Sequence, residues 1–415
     1  MKLGETANPD RERWGKPLEG VRILAVEQMQ ALPYATQLMA HMGADVVKVE
    51  HPVHGESGRA SRPAVHDTDG RDVGATYLRN NLGKRSVGID LKDPEGKALL
   101  ERLVPHFDVV GENFKPGTFD RLGLGYDRLS ALHPGVILVS VSGFGNLAGS
   151  PYRDWPAYAP IPEAMAGLYE MARTGDDPPR PLVAGALGDI GSALFAVIGT
   201  LAALHHRERT GLGQHVDVAM FDAMVAIADI VPFLWSIGSA PYTAGGSGLG
   251  IIEGYRASDG WFVIEVIREH QFAALAELIG ERGWIDDERF ATRAGWDEHR
   301  AEIRSAIERW SAGMTKLEAC RALCAVGVAA GPSNTAADLA ADPHVASHDM
   351  LLEVARPDGG DDLLVVGNPV KMSRVSEGPV RRWPCLGADT DDVLGGLLGI
   401  DADELARLRS GGVIV

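Results

Sequence analysis

Short apolar runs alternate with amphipathic stretches through the first half of the chain. Val21-Arg22-Ile23-Leu24-Ala25-Val26 predicts a strand. Pro33 stands where the first turn of a helix tolerates proline, Tyr34 to Met42 continues with helical spacing, and Gly43 stops it. Ala44 to Glu50, with Val46, Val47 and Val49, predicts a second strand, which completes a strand–helix–strand unit. The pattern recurs. Lys84 to Leu91 reads as strand, and Asp93-Pro94-Glu95 opens a helix that runs to about Val104, with Asp93 as its cap. Asp108 to Gly111 is a short strand, Arg121 to Leu132 a broken helix, and Gly135 to Ser142 a buried strand. A mostly apolar helix follows from Ile190 to His206, ending near Gly211 and Gly213, and Gln214 to Met220 returns to strand. Strands alternating with helices predict an α/β fold with a parallel sheet covered on both faces.

The texture changes after Asp229. A Gly- and Ser-rich stretch from Ala244 to Gly250 leads into the strand Trp261 to Val266, and helical spacing follows over Glu298 to Ser311 and Lys316 to Val326. Gly331-Pro332 marks a return to α/β texture. The expected organisation is therefore a large domain over 1–229, a small domain over 230–330, and a C-terminal part, 331–415, that rejoins the large one.

Composition narrows the function classes. Among 415 residues, 57 are acidic and 40 basic, for a net charge of −17. That balance argues against a general nucleic-acid binder, which needs a basic footprint. The 3 cysteines cannot build a disulfide framework, and Cys320 and Cys324 have no second pair at metal-finger spacing. Residues 1–17 are polar and charged, unlike the apolar core of a signal peptide. The uncharged apolar run Ile190 to Leu204 is shorter than the roughly 20 residues a bilayer span needs. A soluble, cytoplasmic protein with no membrane partner is the expectation.

Several residues invite chemistry, each beside an ordinary alternative. Gly143-x-Gly145-x3-Gly149 follows a strand, but its last gap does not match a dinucleotide fingerprint, so an ordinary loop is favoured over an NAD site. His344 and His348 lack a third ligand for a metal. Asp189, in Gly185-Ala186-Leu187-Gly188-Asp189-Ile190-Gly191, is either a helix cap or a carboxylate presented between glycines, where backbone approaches a ligand closely and the ionised group can act as a nucleophile. Gln30, before Pro33, caps a helix or binds a carbonyl. Tyr158 is a core aromatic or a hydroxyl donor. The glycines from Gly245 to Gly250 form a linker or a mobile lid. Lys84, Arg85 and Arg121 are solvated cations or phosphate partners.

These pieces, in this order, resemble the class III CoA-transferase family, which includes formyl-CoA and carnitine CoA-transferases and α-methylacyl-CoA racemase. The resemblance is carried by PLEGVRILAVEQMQALPYATQLMAHMGADVVKVEHP (17–52), NLGKRSVGIDLKDPEGKALLERLV (81–104), ENFKPGTFDRLGLGYDRLSALHPGVILVSVSGFG (112–145), GALGDIGSALFAVIGTLAALHHRERTGLGQHVDVAMFDA (185–223) and LGADTDDVL (386–394). It spans about 17–410.

The resemblance implies a Rossmann-like large domain, a smaller α/β domain and an interlocked homodimer. It implies that Asp189 attacks an acyl-CoA to form an aspartyl anhydride and then an aspartyl-CoA thioester, with a free carboxylate as acceptor. Gln30 and Tyr158 match polar substrate-site residues, and the backbone near Gly188 is expected to hold an oxyanion. His51, Lys84, Asn113, Phe114, Arg121 and Leu122 fall where the family holds CoA, with Lys84 and Arg121 as phosphate partners. Gly245, Gly246 and Gly248 occupy the place of a protective lid. CoA enters as a substrate, with no metal and no NAD. Leu32 replaces a usual Gly, a change expected to narrow the pocket beside Gln30. Ala159 stands where an acidic residue is common, and His51 replaces a common Arg. The glycine loop is also less glycine-pure than in formyl-CoA transferases, and these departures argue against formyl-CoA and oxalate as substrates. A racemase on the same scaffold is the alternative, but it needs a proton-transfer His where this chain has Tyr158. A nucleotide-binding module without catalysis is a third possibility.

Overall fold

The structure, a computed structural model, describes residues 1–67, 70–171, 173, 176–181, 185–229, 231–238, 250–356 and 359–415. It contains two compact units. One comprises Met1–Leu168, Pro181–Asp229 and Pro343–Val415, and the other Tyr169–Arg180 and Ile230–Asp342.

The first unit is organised by six strands: β1 (Arg22–Val26), β2 (Asp45–Glu50), β3 (Arg85–Gly88), β4 (Val109–Glu112), β5 (Ile137–Ser142) and β6 (His215–Ala219). All pairings are parallel, in the order β3-β2-β1-β4-β5-β6. Leu24 sits between Val47 of β2 and Val110 of β4. This is a doubly wound, Rossmann-like sheet, and the direction of winding reverses between β1 and β4. Successive strand residues face opposite sides. Ile23, Ala25, Val109 and Ile137 enter one core with α1 (Ala31–His41) and α3 (Leu187–Thr210). Leu24, Val26, Val110 and Leu138 enter the other with α2 (Pro94–Leu103). The central strands β1 and β4 are apolar over Ile23–Val26 and Val109–Gly111 because they are covered on both faces.

Helix α3 extends three residues before and four after the expected Ile190–His206 span, and by length and composition alone it could cross a membrane. Here it is the spine of the core it shares with α1, where its Ala193, Ala196 and Val197 are buried. A short helix, α4 (Met220–Ile227), packs back on it beside Gly191.

The second unit carries an antiparallel sheet of β7 (Ile251–Ala257), β8 (Gly260–Val266) and β9 (Ala329–Pro332), in the order β9-β8-β7. Phe272 stacks on Trp296, with ring centres 4.6 Å apart, inside its core. Gly331-Pro332 lies within β9, pairing with β8, so the chain leaves this unit at Asp342. The tail then adds no strand to the large sheet. It forms a separate antiparallel hairpin of β10 (Leu351–Val354) and β11 (Leu363–Val366). Two helices, α5 (Thr390–Leu398) and α6 (Ala402–Ser410), complete the α2 face through Val393, Leu394, Leu405 and Leu408.

Candidate active site

Reversal of the winding between β1 and β4 sends their outgoing loops apart and opens a crevice at the carboxyl ends of the strands. Asn113, just after β4, clamps the loop after β1: its Oδ1 accepts the Gln28 N–H and its Nδ2 donates to the Gln28 carbonyl, each at 2.8 Å. Met29 then turns through a left-handed φ of 60°, held by its N–H donating to Glu56 Oε2 at 2.8 Å. Such a φ is costly for a side chain of this size and clusters at functional sites. The turn delivers Gln30 at the start of α1.

Asp189 arrives from the other side as the third residue of α3; the position before the helix belongs to Ala186, itself left-handed at φ 33°. A Cβ at Gly188 would lie 2.8 Å from the Ala159 carbonyl oxygen, so only glycine lets α3 begin against that segment. The Gln30 Nε2 donates to Asp189 Oδ2 at 2.7 Å, and the Arg79 guanidinium donates to the Gln30 Oε1. Burial raises the Asp189 pKa above its ordinary value and the Glu163 charge adds to the rise, while the Gln30 hydrogen bond and Arg79 oppose it. The result is a half-buried carboxylate, partly stripped of water, with one oxygen oriented by an amide.

Asp189 and Gln30 line a cavity of about 330 Å3 together with Gln28, Phe114, Trp155 and Tyr158. Tyr158 is 71% exposed within the chain. A second cavity of about 330 Å3 opens on the other side of Phe114, lined by His51, Glu56, Lys92 and Leu122. The His51 ring accepts the Val53 N–H at 3.2 Å through Nδ1 and stacks on His54. Arg121 is exposed and donates to the Thr118 hydroxyl at 2.8 Å.

Three expectations are corrected. Lys84 is no phosphate partner: its side chain is fully buried, and its ammonium donates to Glu27 Oε1 at 2.7 Å, the Pro33 carbonyl at 2.8 Å and Asn81 Oδ1 at 2.9 Å. All three donors are spent. The Gly188 N–H is not open to an oxyanion, because Glu163 Oε1 accepts it at 2.7 Å. Leu32 does not narrow the cavity; it is 1% exposed and points at Gly111 in the core. Gly245, Gly246 and Gly248 lie outside the described residues. Asn113 is brought to the site, but its amide is used in the backbone clamp.

Arg79, Glu163 and Glu112 were not anticipated. Arg79 comes from the helix Ala75–Asn80, whose sequence carries no motif. Glu163 supplies the acid at the end of α3 where Ala159, buried, supplies none. Glu112 ends β4, and its Oε2 accepts the Phe114 N–H at 2.9 Å. Burial pushes its carboxyl up to about 7. Its place on a strand covered on both faces was the available signal. Among the described residues no group of three His, Cys, Asp or Glu gathers as a metal set. The Gly143 motif leads into no helix before Pro160.

Residues 18–390 match the model of CoA-transferase family III. The chain is 36% identical over 409 residues to the succinyl-CoA–D-citramalate CoA-transferase of Chloroflexus aurantiacus, covering 97% of this chain and 99% of that protein. It is 34% identical over 420 residues to the formyl-CoA:oxalate CoA-transferase of Streptomyces avermitilis, covering 96% and 100%. The crystal structure of a CAIB/BAIF family protein from Brucella suis superposes with a TM-score of 0.81 at 32% identity, covering 92% of this chain and 99% of that one.

Proposed function

The chain belongs to CoA-transferase family III, and on that premise we propose that it moves CoA from an acyl-CoA to a free carboxylate through covalent intermediates on Asp189. The observation that carries this reading is the 2.7 Å bond from Gln30 to Asp189 at a cavity in the β1/β4 crevice.

Oδ1 of Asp189 attacks the thioester carbonyl, the C–S bond breaks, and CoA leaves as thiolate with the electron pair. The thiolate attacks Cγ of the resulting mixed anhydride, which expels the donor's acid as a carboxylate and leaves CoA as a thioester on Asp189. An acceptor carboxylate attacks that thioester and expels the thiolate. Thiolate attack on the new acyl carbon forms the product thioester and restores the Asp189 carboxylate. No proton is transferred in the sequence. Each attack at Cγ puts negative charge on Oδ2, the atom that Gln30 already faces. The amide is thus the oxyanion donor on this side, a role worth about 3 kcal/mol in comparable sites.

The second cavity takes the nucleotide end of CoA, with His51 and Leu122 as its walls and Phe114 between it and the reacting centre. Tyr158 offers its hydroxyl to the substrate in the first cavity. Binding of the remote nucleotide offsets the cost of desolvating the reacting carboxylate. Succinyl-CoA, the donor named in the Chloroflexus relative, is the first to test. A homodimer fits the surface of α3. Leu194, Ile198 and Leu201 share a helical face and are 45%, 60% and 37% exposed within one chain, a stripe that a second copy covers.

The test is one mass-spectrometric assay in D2O with several acyl-CoA donors, including succinyl-CoA and a 2-methylacyl-CoA, and a pool of free acids. The reading expects new CoA thioesters that Asp189→Ala does not form. Deuterium at the α-carbon without new thioesters would replace it with an α-proton mechanism.

A further inference from the structure

The chain of contacts at the nucleophile ends on a cation with nothing else to do. Arg79 is exposed and donates to Gln30 Oε1, and among the described residues no carboxylate lies within ion-pair distance of it. It is the cation whose charge acts on Asp189. The other charged group acting there, Glu163, has its Oε1 on the Gly188 N–H. In the resting enzyme the negative charge of Asp189, one amide away, offsets Arg79.

That balance changes during the reaction proposed above, on which this inference rests. Once CoA sits on Asp189 as a thioester, the aspartate has lost its charge. Arg79 is then left facing a neutral amide. The charge that had been offset now favours one new anion beside Gln30. The anion that chemistry requires at that moment is the reacting carboxylate.

We propose that Arg79 forms the subsite for the reacting carboxylate, which opens only when Asp189 is acylated. In the first half-reaction it receives the acid expelled from the donor. In the second it holds the acceptor acid for attack on Cγ. These are the same step in opposite directions, so one subsite serves both. Free acid binds the resting enzyme poorly because Asp189 still carries its charge, and that enforces the order of the two halves. Arg79 contributes little to the first attack, where the incoming thioester carbonyl is neutral.

The full-length enzyme and its Arg79→Gln variant test this with succinyl-CoA and 13C-labelled succinate. Intact-protein mass follows the formation of the CoA adduct, and label entering succinyl-CoA follows the return step. In Arg79→Gln the KM for succinate is expected to rise at least tenfold, while the KM for succinyl-CoA in adduct formation stays within threefold of wild type; Arg79→Lys recovers part of the loss. Equal losses in both measurements would reduce Arg79 to a prop for Gln30, and an unchanged KM would remove it from the site. Adduct formation in the wild type without label exchange would also overturn the subsite, because the acid just expelled must be able to return. If no acyl-CoA of the D2O panel gives an adduct in the wild type, the covalent reading itself falls and the subsite falls with it. A measured adduct in Arg79→Gln also shows that the variant is folded.

Discussion

Gln30 and Asp189 lie 159 positions apart in the chain, yet the amide nitrogen of one stands 2.7 Å from a carboxylate oxygen of the other. Each is delivered by a left-handed turn at a residue that is not glycine, Met29 before Gln30 and Ala186 before Asp189. The Asn113 clamp and the Glu56 carboxylate hold the first turn; the close approach of Ala159 to Gly188 and the Glu163 bond hold the second. The rest of the fold bears the strain so that the two side chains meet in one geometry.

Removing the amide tests that geometry. Gln30→Ala deletes the oxyanion donor, a loss of about 3 kcal/mol at the transition state. We expect kcat to fall by roughly 150-fold, with a smaller change in the KM of the acyl-CoA. Steady-state kinetics of thioester exchange check it.

The nucleophile must be ionised, so kcat/KM is expected to fall on acidification. The midpoint should lie above 3.8, the ordinary value for an aspartate, because burial and Glu163 both raise it. Glu163→Gln keeps an acceptor for the Gly188 N–H and removes the charge. The midpoint should then move to lower pH in a pH–rate profile.

Lys84 is structural in this account. Lys84→Met leaves the buried Glu27 carboxylate with Lys48 as its remaining cation, at 3.4 Å. Breaking a buried pair in this way costs about 3–5 kcal/mol. The urea midpoint should drop accordingly, while the KM for acyl-CoA in the surviving folded enzyme stays close to wild type. A large KM change with normal stability would return Lys84 to the CoA site.

Glu112 gives the fold a pH dependence of its own. Its carboxyl keeps its proton up to about 7 in the native state and releases it near 4.5 when unfolded. The native state therefore binds more protons between those values. The stability from the neutral carboxyl is fully present below about 4.5 and is lost as pH rises through 7, a change of about 3 kcal/mol. Glu112→Gln should raise Tm at pH 8 and leave it nearly unchanged at pH 4.5, as thermal unfolding at the two pH values would show.

The alternation of elements was legible because a parallel strand covered on both faces carries an unbroken apolar run, as in Val136 to Val139. Asp189 was legible because glycines surround it just before a long apolar helix. The fate of Lys84 was not, because Glu27, Lys48 and Asn81 meet it only after β1, β2 and β3 are side by side. A signal was present in β2, where Lys48 interrupts a run of valines and had to be paired inside. Arg79 had no local signature, since its partner Gln30 is 49 positions away. The tail has α/β texture, yet its strands pair with each other and not with the large sheet. Its helices join a face whose openness no local pattern reveals.

The most direct measurement is to mix the enzyme with succinyl-CoA, quench with hydroxylamine, digest, and sequence the peptide containing Asp189 by tandem mass spectrometry. The account predicts a hydroxamate at Asp189 that disappears when acceptor acid is added before the quench. Turnover of the thioester with Asp189 unmodified, or a hydroxamate on another carboxylate, would contradict it.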